Sequence, residues 1–399
     1  MNFCFVYKED YPWDVRVEKI VKTLSINGHA INLVCRNINQ RDPIERMEDF
    51  DVYRLPRTER LPKVIASIIN YPLWFNPFWL YLIAKIAIAK RCDGIIIRDL
   101  PLMLAGIIVA RLSGKKVIFD MAECYPEMYR SVAEYGSESK INRLLKNPSA
   151  ADLYEKICLR LCDHIFVMIE ESRDRLINKG VDPKKITIVS NTPVLSSASL
   201  ALKKHSGKQL HIVYVGFITK IRGIDLLVKA VSQFIARVDG DRGITVDIIG
   251  TGLAKKEIES LVNELGLSDH ITVHGWLDHN EVKAIMAKAN VGALTYRFCG
   301  HWNHTIPNKI FDYMASGLPV LSTNVIPIAR ILNSVGCGLT TINGDIDEIT
   351  ANLISLTDFE LRNDLGSKGQ AAILNSFNWG IDSKRMLFSI NNLFSNHQT

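Results

Sequence analysis

A basic and an acidic residue stand three apart near residue 310, just before a glycine and a short apolar run. At this spacing Lys309 and Asp312 share one face of a short amphipathic helix that the pattern predicts over residues 307–316, with Gly317 as its C-terminal cap. A lysine on a first helical turn, where backbone N–H groups are free, is well placed for a phosphate, and a carboxylate one turn later suits sugar hydroxyls. An ordinary capped surface helix has the same pattern.

A second candidate anion site follows a strand-like run. Residues 213–225 predict a strand, a turn at Gly216 and a helix start, with Lys220 and Arg222 between them. Gly216 permits close approach of a ligand to the backbone, and the two cations can neutralise phosphate oxygens. A glycine at a strand end and solvated cations are also common without any ligand. Together with Lys309, which we expect at the same sheet edge, they predict a diphosphate clamp.

Two carboxylates follow another apolar strand. Asp120 and Glu123 come at the end of the run Val117-Ile118-Phe119, where they can orient an acceptor hydroxyl or take its proton. The alternative is a capping box, in which Asp120 caps a helix and Glu123 occupies its third position.

Four more residues are candidate ligand contacts. We expect His301 or His304 to contact a ligand, against the alternative of loop packing. A metal site is disfavoured because no carboxylate or cysteine completes a ligand set. Asp14 and Arg16 follow the first predicted strand, where Arg16 suits acceptor or phosphate contact. The alternative for this pair is a solvated helix start.

The elements that must position these residues alternate between strand and helix. This alternation predicts an α/β fold of two Rossmann-like, doubly wound parallel sheets facing a central cleft, where such folds bind ligands. A chain of 399 residues exceeds the usual size of one core. A small, polar and basic stretch at 195–208 predicts the linker. We therefore expect a first domain at 1–195, a second domain at 196–375, and a C-terminal helix at 376–399 that packs back on the first domain.

Composition limits the classes of function. The hydrophobic share of 47% and the charged share of 23% indicate a folded protein, and a net charge of +6 is too diffuse to indicate nucleic acid. The eight cysteines are scattered, without a Cys-x-x-Cys pair, and are expected to be buried free thiols. The amino terminus lacks the pattern of a signal peptide, so a reducing cytoplasm fits best.

One uncharged segment is long enough to cross a bilayer. Residues 64–84 hold six aromatic side chains, but Asn and Pro residues interrupt them and basic residues flank them. Aromatic residues with basic neighbours, Trp74 and Trp79 among them, favour a surface lying in the lipid interface. The alternative is two core helices joined at Asn76-Pro77.

The motifs, taken in order, resemble glycosyltransferase family 4. The resemblance covers nearly the whole chain and rests on Asp14-Val15-Arg16-Val17, Gly28-His29-Ala30, Asp120-Met121-Ala122-Glu123, Tyr125-Pro126-Glu127, Tyr214-Val215-Gly216, Arg222-Gly223, Gly250-Thr251-Gly252, Val273-His274-Gly275-Trp276 and the run from Pro307 to Val320. It implies a GT-B fold and transfer of a sugar from a nucleotide diphosphate donor with retention of configuration, usually without a metal or other cofactor.

The resemblance also implies roles by position. Arg222 and Lys309 would hold the diphosphate, and Asp312 would accept hydrogen bonds from the ribose hydroxyls. The donor would bind the domain at 196–375 against the loop at Gly216, with its nucleobase near the turn formed by Gly275 and Trp276. Its sugar would contact His301 or His304, and the acceptor would bind the domain at 1–195. Two fixed cations beside a leaving diphosphate stabilise the charge that grows during bond breaking.

The chain departs from the family pattern at two positions. The family commonly has a Glu eight residues before the position of Asp312, where this chain has His304. Many relatives also have His at the position of Ala122. The identity of the sugar therefore does not follow from these motifs.

The resulting hypothesis is a cytoplasmic, peripheral membrane enzyme of bacterial surface polysaccharide synthesis. It would move a sugar from a UDP- or GDP-sugar to a glycan acceptor carried on lipid, with residues 64–84 on the inner face of the cell membrane. The alternatives are a nucleotide-sugar epimerase of the same fold and a non-catalytic subunit that binds nucleotide sugar.

Overall fold

The computed structural model describes residues 1–12, 14–135, 146–195, 204–238, 243–342 and 344–395. The chain divides into two compact units: Met1–Pro126 with Lys146–Asn191 and Asp382–Thr399, and Glu127–Leu145 with Thr192–Ile381. Most of the predicted linker at 195–208 lies outside the described residues. The domain limits at 195 and 375 therefore stay predictions.

The first unit is built on a mostly parallel sheet of eight strands. Their order is β3-β4-β2-β1-β5-β6-β7-β8, and only β3 runs antiparallel to its neighbour. The strands are β1 Asn2–Asp10, β2 Ala30–Arg36, β3 Ile44–Arg46, β4 Asp51–Arg54, β5 Gly94–Arg98, β6 Lys116–Met121, β7 His164–Val167 and β8 Ile186–Ile188.

Helices connect these strands, as the parallel pairing requires. They are α1 Val15–Ile26, α2 Lys63–Asn70, α3 Pro77–Ala89, α4 Met103–Leu112, α5 Tyr125–Tyr135, α6 Pro148–Leu161 and α7 Glu170–Asn178. Helix α5 starts in this unit and belongs to the second from Glu127 onward. The central strands are apolar on both faces and fully buried, as is typical of a parallel sheet covered on two sides. The last turn of the C-terminal helix also packs here, because the Phe394 ring lies edge-on against Phe3 with ring centroids 5.4 Å apart.

The second unit holds a parallel sheet of six strands in the order β11-β10-β9-β12-β13-β14. The strands are β9 Leu210–Val215, β10 Ile244–Ile249, β11 Ile271–Gly275, β12 Val291–Leu294, β13 Val320–Thr323 and β14 Gly338–Thr341. Its helices are α8 Ile224–Arg237, α9 Lys255–Glu264, α10 His279–Lys288, α11 Lys309–Ala315, α12 Ile326–Val335, α13 Ile346–Ser355 and α14 Phe359–Asn375. The last helix, α15 Trp379–Ser395, starts in this unit and belongs to the first unit from Asp382 onward. The prediction of two doubly wound parallel sheets is confirmed.

The aromatic segment at 64–84 forms two helices and a corner. Helix α2 ends at Asn70 and α3 begins at Pro77, with Asn76 between them. The Asn76 amide donates to the carbonyls of Ile68, Ile69 and Tyr71 at 2.8 to 3.1 Å, and its oxygen accepts from the Phe78 N–H at 3.0 Å. One side chain therefore caps both helices at the corner. Of the helices in the described residues, none is long and apolar enough to span a membrane.

The segment at 64–84 exposes eight large apolar side chains on these helices and their corner. The exposed members are Val64, Ile65, Ile68, Tyr71, Trp74, Phe75, Phe78 and Tyr81, which we call the α2–α3 patch. Trp79, which the sequence assigns to the lipid-facing group, is fully buried in the core instead. The reason is helical geometry: Trp79 faces inward with Ile83 and Ile86, whereas Phe78 and Tyr81 face outward.

The two tryptophans of this segment should therefore differ in their effect on stability. We expect Trp79→Ala to lower the free energy of unfolding by about 3 to 5 kcal/mol, because it opens a cavity in the core. Trp74→Ala should change it by less than about 1 kcal/mol, since that ring is partly solvated. Urea unfolding followed by circular dichroism measures both, and equal shifts would contradict the burial assignment.

Candidate functional site

In the second unit the predicted donor residues lie along one edge of the sheet. Gly275 ends β11, Gly250 follows β10, Gly216 follows β9, and the chain segment after β12 leads to Lys309. Strands β11, β10, β9 and β12 are neighbours and run parallel, so their carboxyl ends meet at the same edge. Such edges are where doubly wound folds bind ligands.

The turn at Gly216 brings the backbone close to the Arg222 side chain. Gly216 has a φ of +155°, and a Cβ built on it would lie 2.9 Å from Arg222 Nη1. Its N–H donates to the Ile249 carbonyl at 2.9 Å, which holds the turn against the end of β10. The glycine therefore leaves room for the guanidinium above the backbone, where a larger residue would displace it.

Aromatic rings hold the Arg222 guanidinium in place. Its central carbon lies 5.3 Å from the ring centroid of Tyr296 and 5.2 Å from that of Trp302, with Phe217 at 5.8 Å. Nη1 also donates to the Tyr296 hydroxyl at 2.8 Å. Stacking leaves the edge of a guanidinium able to bind phosphate oxygens. Arg222 is thus a half-buried cation whose orientation is largely set before a ligand binds.

Lys309 opens helix α11 and pairs with Asp312. Lys309 Nζ lies 2.8 Å from Asp312 Oδ2, and each side chain is about one-third exposed. The shared face is thus confirmed, as is the burial of Ile310, Phe311 and Met314 beneath it. The helix begins at Lys309, two residues later than predicted, because Pro307 and Asn308 form the turn before it. The ion pair can open, since solvated pairs of this kind contribute little to stability.

The two predicted histidines lie in the loop between β12 and α11. His301 is buried, with its ring centroid 4.5 Å from that of Trp302, whereas His304 is half-buried and its N–H donates to the His301 carbonyl at 3.1 Å. Burial, reinforced by the charge of Arg222, lowers the pKa of His301 to about 4. His301 is therefore neutral at physiological pH, and its ring adds no second charge beside Arg222.

Gly275 and Trp276 lie at the far end of the same sheet edge. Gly275 accepts the Gly250 N–H at 2.7 Å, and the Trp276 side chain is 75% exposed. An exposed indole at a ligand-binding edge offers a flat surface on which a nucleobase can stack. Its role in binding stays a prediction.

In the first unit, Arg16 and Asp120 form a buried ion pair. Arg16 Nη2 lies 2.5 Å from Asp120 Oδ1, and the two side chains are 1% and 0% exposed. Arg98 donates to the other Asp120 oxygen at 3.2 Å and to Asp14 Oδ2 at 3.3 Å. Asp14 also caps α1 by accepting the Val17 N–H at 2.9 Å. Three of the four residues predicted here thus lie together, joined by Arg98.

This arrangement changes the interpretation of Asp120. Burial alone would raise the pKa of Asp120, but the guanidiniums of Arg16 and Arg98 hold it below its ordinary value. A carboxylate bonded through both oxygens to two cations is a poor proton acceptor, so the geometry suits a positioning role. The capping alternative is wrong, because Asp120 lies inside β6 and helix α5 begins only at Tyr125. The solvated alternative for Arg16 is wrong as well.

Glu123 lies in the short connection between β6 and α5. It is half-buried, and its Oε2 atom is shielded from solvent. The connection leaves the carboxyl edge of the first sheet, as the sequence predicts. Whether Glu123 takes part in transfer stays a prediction.

Arg98 and Asp99 were missed by the sequence reasoning. Asp99 directly follows β5 with a φ of +67°, a backbone conformation that side-chain-bearing residues rarely adopt, and burial raises its pKa. Among the residues that the structure describes, Asp99 Oδ1 has no hydrogen-bond partner. The signal in the sequence is the Arg-Asp pair that closes the apolar run at 95–97, and in the sheet Arg98 lies in register with Asp120 of the next strand.

The described parts of the chain contain no candidate metal site. There, no three or more His, Cys, Asp or Glu side chains are grouped so that they could hold an ion. The eight cysteines are all buried and free, as predicted. The expectation of metal-independent transfer stays a prediction.

Both halves of the chain match models of known protein families. Residues 14–192 match the model described as a glycosyl transferase 4-like domain, and residues 209–358 match the model for glycosyl transferases group 1. The chain belongs to the GT4-type glycosyltransferases. The two matched stretches contain every predicted site residue of this GT4-type chain.

Curated relatives of this GT4-type chain include enzymes of glycan synthesis. The chain is 28% identical over 195 residues to an MMP alpha-(1->4)-mannosyltransferase of Mycolicibacterium hassiacum, covering 44% of this chain and 46% of that protein. It is 24% identical over 207 residues to a putative colanic acid biosynthesis glycosyltransferase of Salmonella typhimurium, covering 51% and 50%. The chain therefore spans about half the length of the curated relatives it matches.

Solved structures share the fold over the whole length. Sucrose-phosphate synthase from Thermosynechococcus elongatus has a TM-score of 0.76 at 16% identity, with 99% of each chain covered. HepE of Anabaena in complex with UDP-glucose has a TM-score of 0.68 at 13% identity, covering 98% of this chain and 100% of that one. The GT-B fold expected from the resemblance is confirmed for this GT4-type chain.

The low pKa of His301 predicts a specific dependence of stability on pH. The unfolded residue has a pKa near 6.5 and the folded one about 4, so acidification through this window protonates the unfolded chain preferentially. Stability should fall as the pH drops from 6.5 to 4, by up to about 3 kcal/mol for this residue. Urea midpoints measured across the window should decline less for His301→Asn than for wild type. A matched change at the exposed His279 should leave the decline intact, and equal slopes for all three proteins would contradict the assignment.

Proposed function

We propose that this protein transfers a sugar from a UDP- or GDP-sugar to a glycan acceptor with retention of configuration. One observation carries the proposal: Arg222 and Lys309 follow the neighbouring parallel strands β9 and β12 and so rise from one sheet edge. Two cations at one edge suit a diphosphate, which bears more negative charge than either cation alone can balance. The relative that is a mannosyltransferase and the neighbour that binds UDP-glucose support the same donor class.

The chemistry follows from the growth of charge on the leaving group. As the bond between the sugar and the diphosphate breaks, negative charge moves onto the phosphate oxygens, and preoriented cations stabilise that state most. Arg222 is held by rings before binding, so little reorganisation is required. Lys309 releases Asp312 on contact with phosphate, which frees the carboxylate for the ribose hydroxyls. Lys309 and Asp312 thus exchange each other for the phosphate and the ribose hydroxyls when the donor binds.

The α2–α3 patch supports an acceptor carried on lipid at the inner face of a membrane. Its eight apolar side chains are exposed, and the exposed cations Lys63 and Lys85 lie on the same two helices. Apolar and aromatic side chains beside lysines fit the interface of a bilayer with anionic lipids. Surface polysaccharide synthesis places such an acceptor at that interface.

Replacing Lys309 tests the donor site. Lys309→Ala should lower sugar transfer by about 10²- to 10³-fold, because it removes one of two cations from the developing diphosphate charge. The variant should stay folded, since the pair it breaks is partly solvated. Lys368→Ala is a matched control, because Lys368 pairs with Asp364 on α14 at 2.6 Å. Normal turnover by Lys309→Ala would reject the assignment.

The same assays separate the alternative functions. Incubation with a UDP- or GDP-sugar alone and analysis of the products would reveal an epimerase, which needs no acceptor. Transfer by the purified single chain would exclude a non-catalytic subunit. Repeating the transfer in a chelator tests the expected metal independence.

Binding to lipid vesicles tests the patch. Trp74→Ala combined with Phe75→Ala should weaken binding to vesicles of phosphatidylcholine and phosphatidylglycerol, because it removes two exposed rings. Phe388→Ala is the control, since Phe388 is an exposed ring elsewhere in the first unit. Sedimentation with the vesicles measures the bound fraction. Equal binding by the double variant and wild type would contradict the proposed contact between the patch and the membrane.

A further inference from the structure

One face of helix α5 lies along the loop that carries His301. From Glu127 onward this helix belongs to the second unit. Glu127, Ser131 and Tyr135 stand four residues apart and therefore form one stripe on the helix surface. We call these three residues the α5 stripe. The loop opposite it runs from Arg297 to His304, between β12 and α11.

Each member of the α5 stripe meets a different part of the loop. The Ser131 hydroxyl accepts the His301 N–H at 3.2 Å, and Ser131 is buried. The Glu127 carboxylate approaches Gly300 so closely that a Cβ on that glycine would lie 2.2 Å from Oε2. Tyr135 and Arg297 line one cavity of about 440 Å³. The three members of the stripe thus face loop residues between 297 and 301.

The other side of the loop is tied to the turn that holds Arg222. The Arg297 N–H donates to the Ile221 carbonyl at 3.0 Å, and Trp302 Nε1 donates to the same carbonyl at 3.2 Å. Trp302 and Tyr296 are also the rings against which the Arg222 guanidinium packs. The loop therefore lies between the α5 stripe and Arg222.

We propose that the α5 stripe positions the Arg222 guanidinium for the donor diphosphate, acting through the loop at 297–304. Ser131 is the central positioning residue, because it fixes the backbone of His301 next to Trp302. Gly300 leaves room for the Glu127 carboxylate, which lies against the loop. This inference rests on the proposed function only for the identity of the ligand.

Two readouts on the full-length protein test the proposal. Ser131→Ala leaves the buried His301 N–H without its acceptor, so amide hydrogen exchange in the peptide covering 297–304 should accelerate. Isothermal titration with UDP and GDP should show the dissociation constant of the bound nucleotide rising by about tenfold. Ala133→Ser is the matched control, because Ala133 lies on the exposed side of the same helix. It should change neither readout.

A second pair of variants tests the contact at Gly300 independently. Gly300→Ala should weaken nucleotide binding modestly, because its methyl group meets the flexible end of the Glu127 side chain and either that carboxylate or the loop must shift. Adding Glu127→Ala should restore binding, since the truncated side chain leaves room for the methyl group. A general loss of folding would instead worsen in the double variant.

The outcomes are distinct. Unchanged exchange in Ser131→Ala, or faster exchange with unchanged affinity, overturns the positioning role, as does a double variant that is not rescued. A wild-type protein that binds neither UDP nor GDP overturns the proposed function instead.

Discussion

A buried hydrogen bond holds together the two parts of the chain on which the donor edge depends. The Val215 N–H donates to the Tyr313 hydroxyl at 3.0 Å, joining the last residue of β9 to helix α11. The bond requires Tyr313 to pass over Gly292, where a Cβ would lie 2.5 Å from the ring. Because Lys309 lies one turn before Tyr313 on the same helix, this bond sets where its cation stands relative to the end of β9.

The two cations at this edge are stabilised in different ways. Arg222 is stacked among rings and oriented in advance, whereas Lys309 is neutralised by a solvated carboxylate that it can exchange for phosphate. A guanidinium tolerates partial burial because its charge is delocalised and weakly hydrated, and an ammonium favours the solvated position. The edge thus combines a fixed cation with an adjustable one.

The sequence predicts the two parallel sheets and helix α11 well, because periodic burial and helix caps are local signals. It fails where partners are distant along the chain. Asp120 is assigned to substrate from its place after a strand, yet Arg16 and Arg98, which bury it, lie 104 and 22 residues away. Trp79 fails for a related reason, since an apolar segment does not reveal which of its rings face the core. The α5 stripe is invisible in sequence because each of its contacts is more than a hundred residues distant.

The corner at Asn76 has a consequence for whatever the α2–α3 patch binds. Its amide caps two helices at once, so the patch is folded within the chain itself. A disordered segment that becomes helical on a surface loses backbone and side-chain entropy as it orders. Here that loss has occurred during folding of the chain. Association would therefore cost mainly translational and rotational entropy. The contact can then be short-lived and still contribute a favourable binding free energy for the area that it buries.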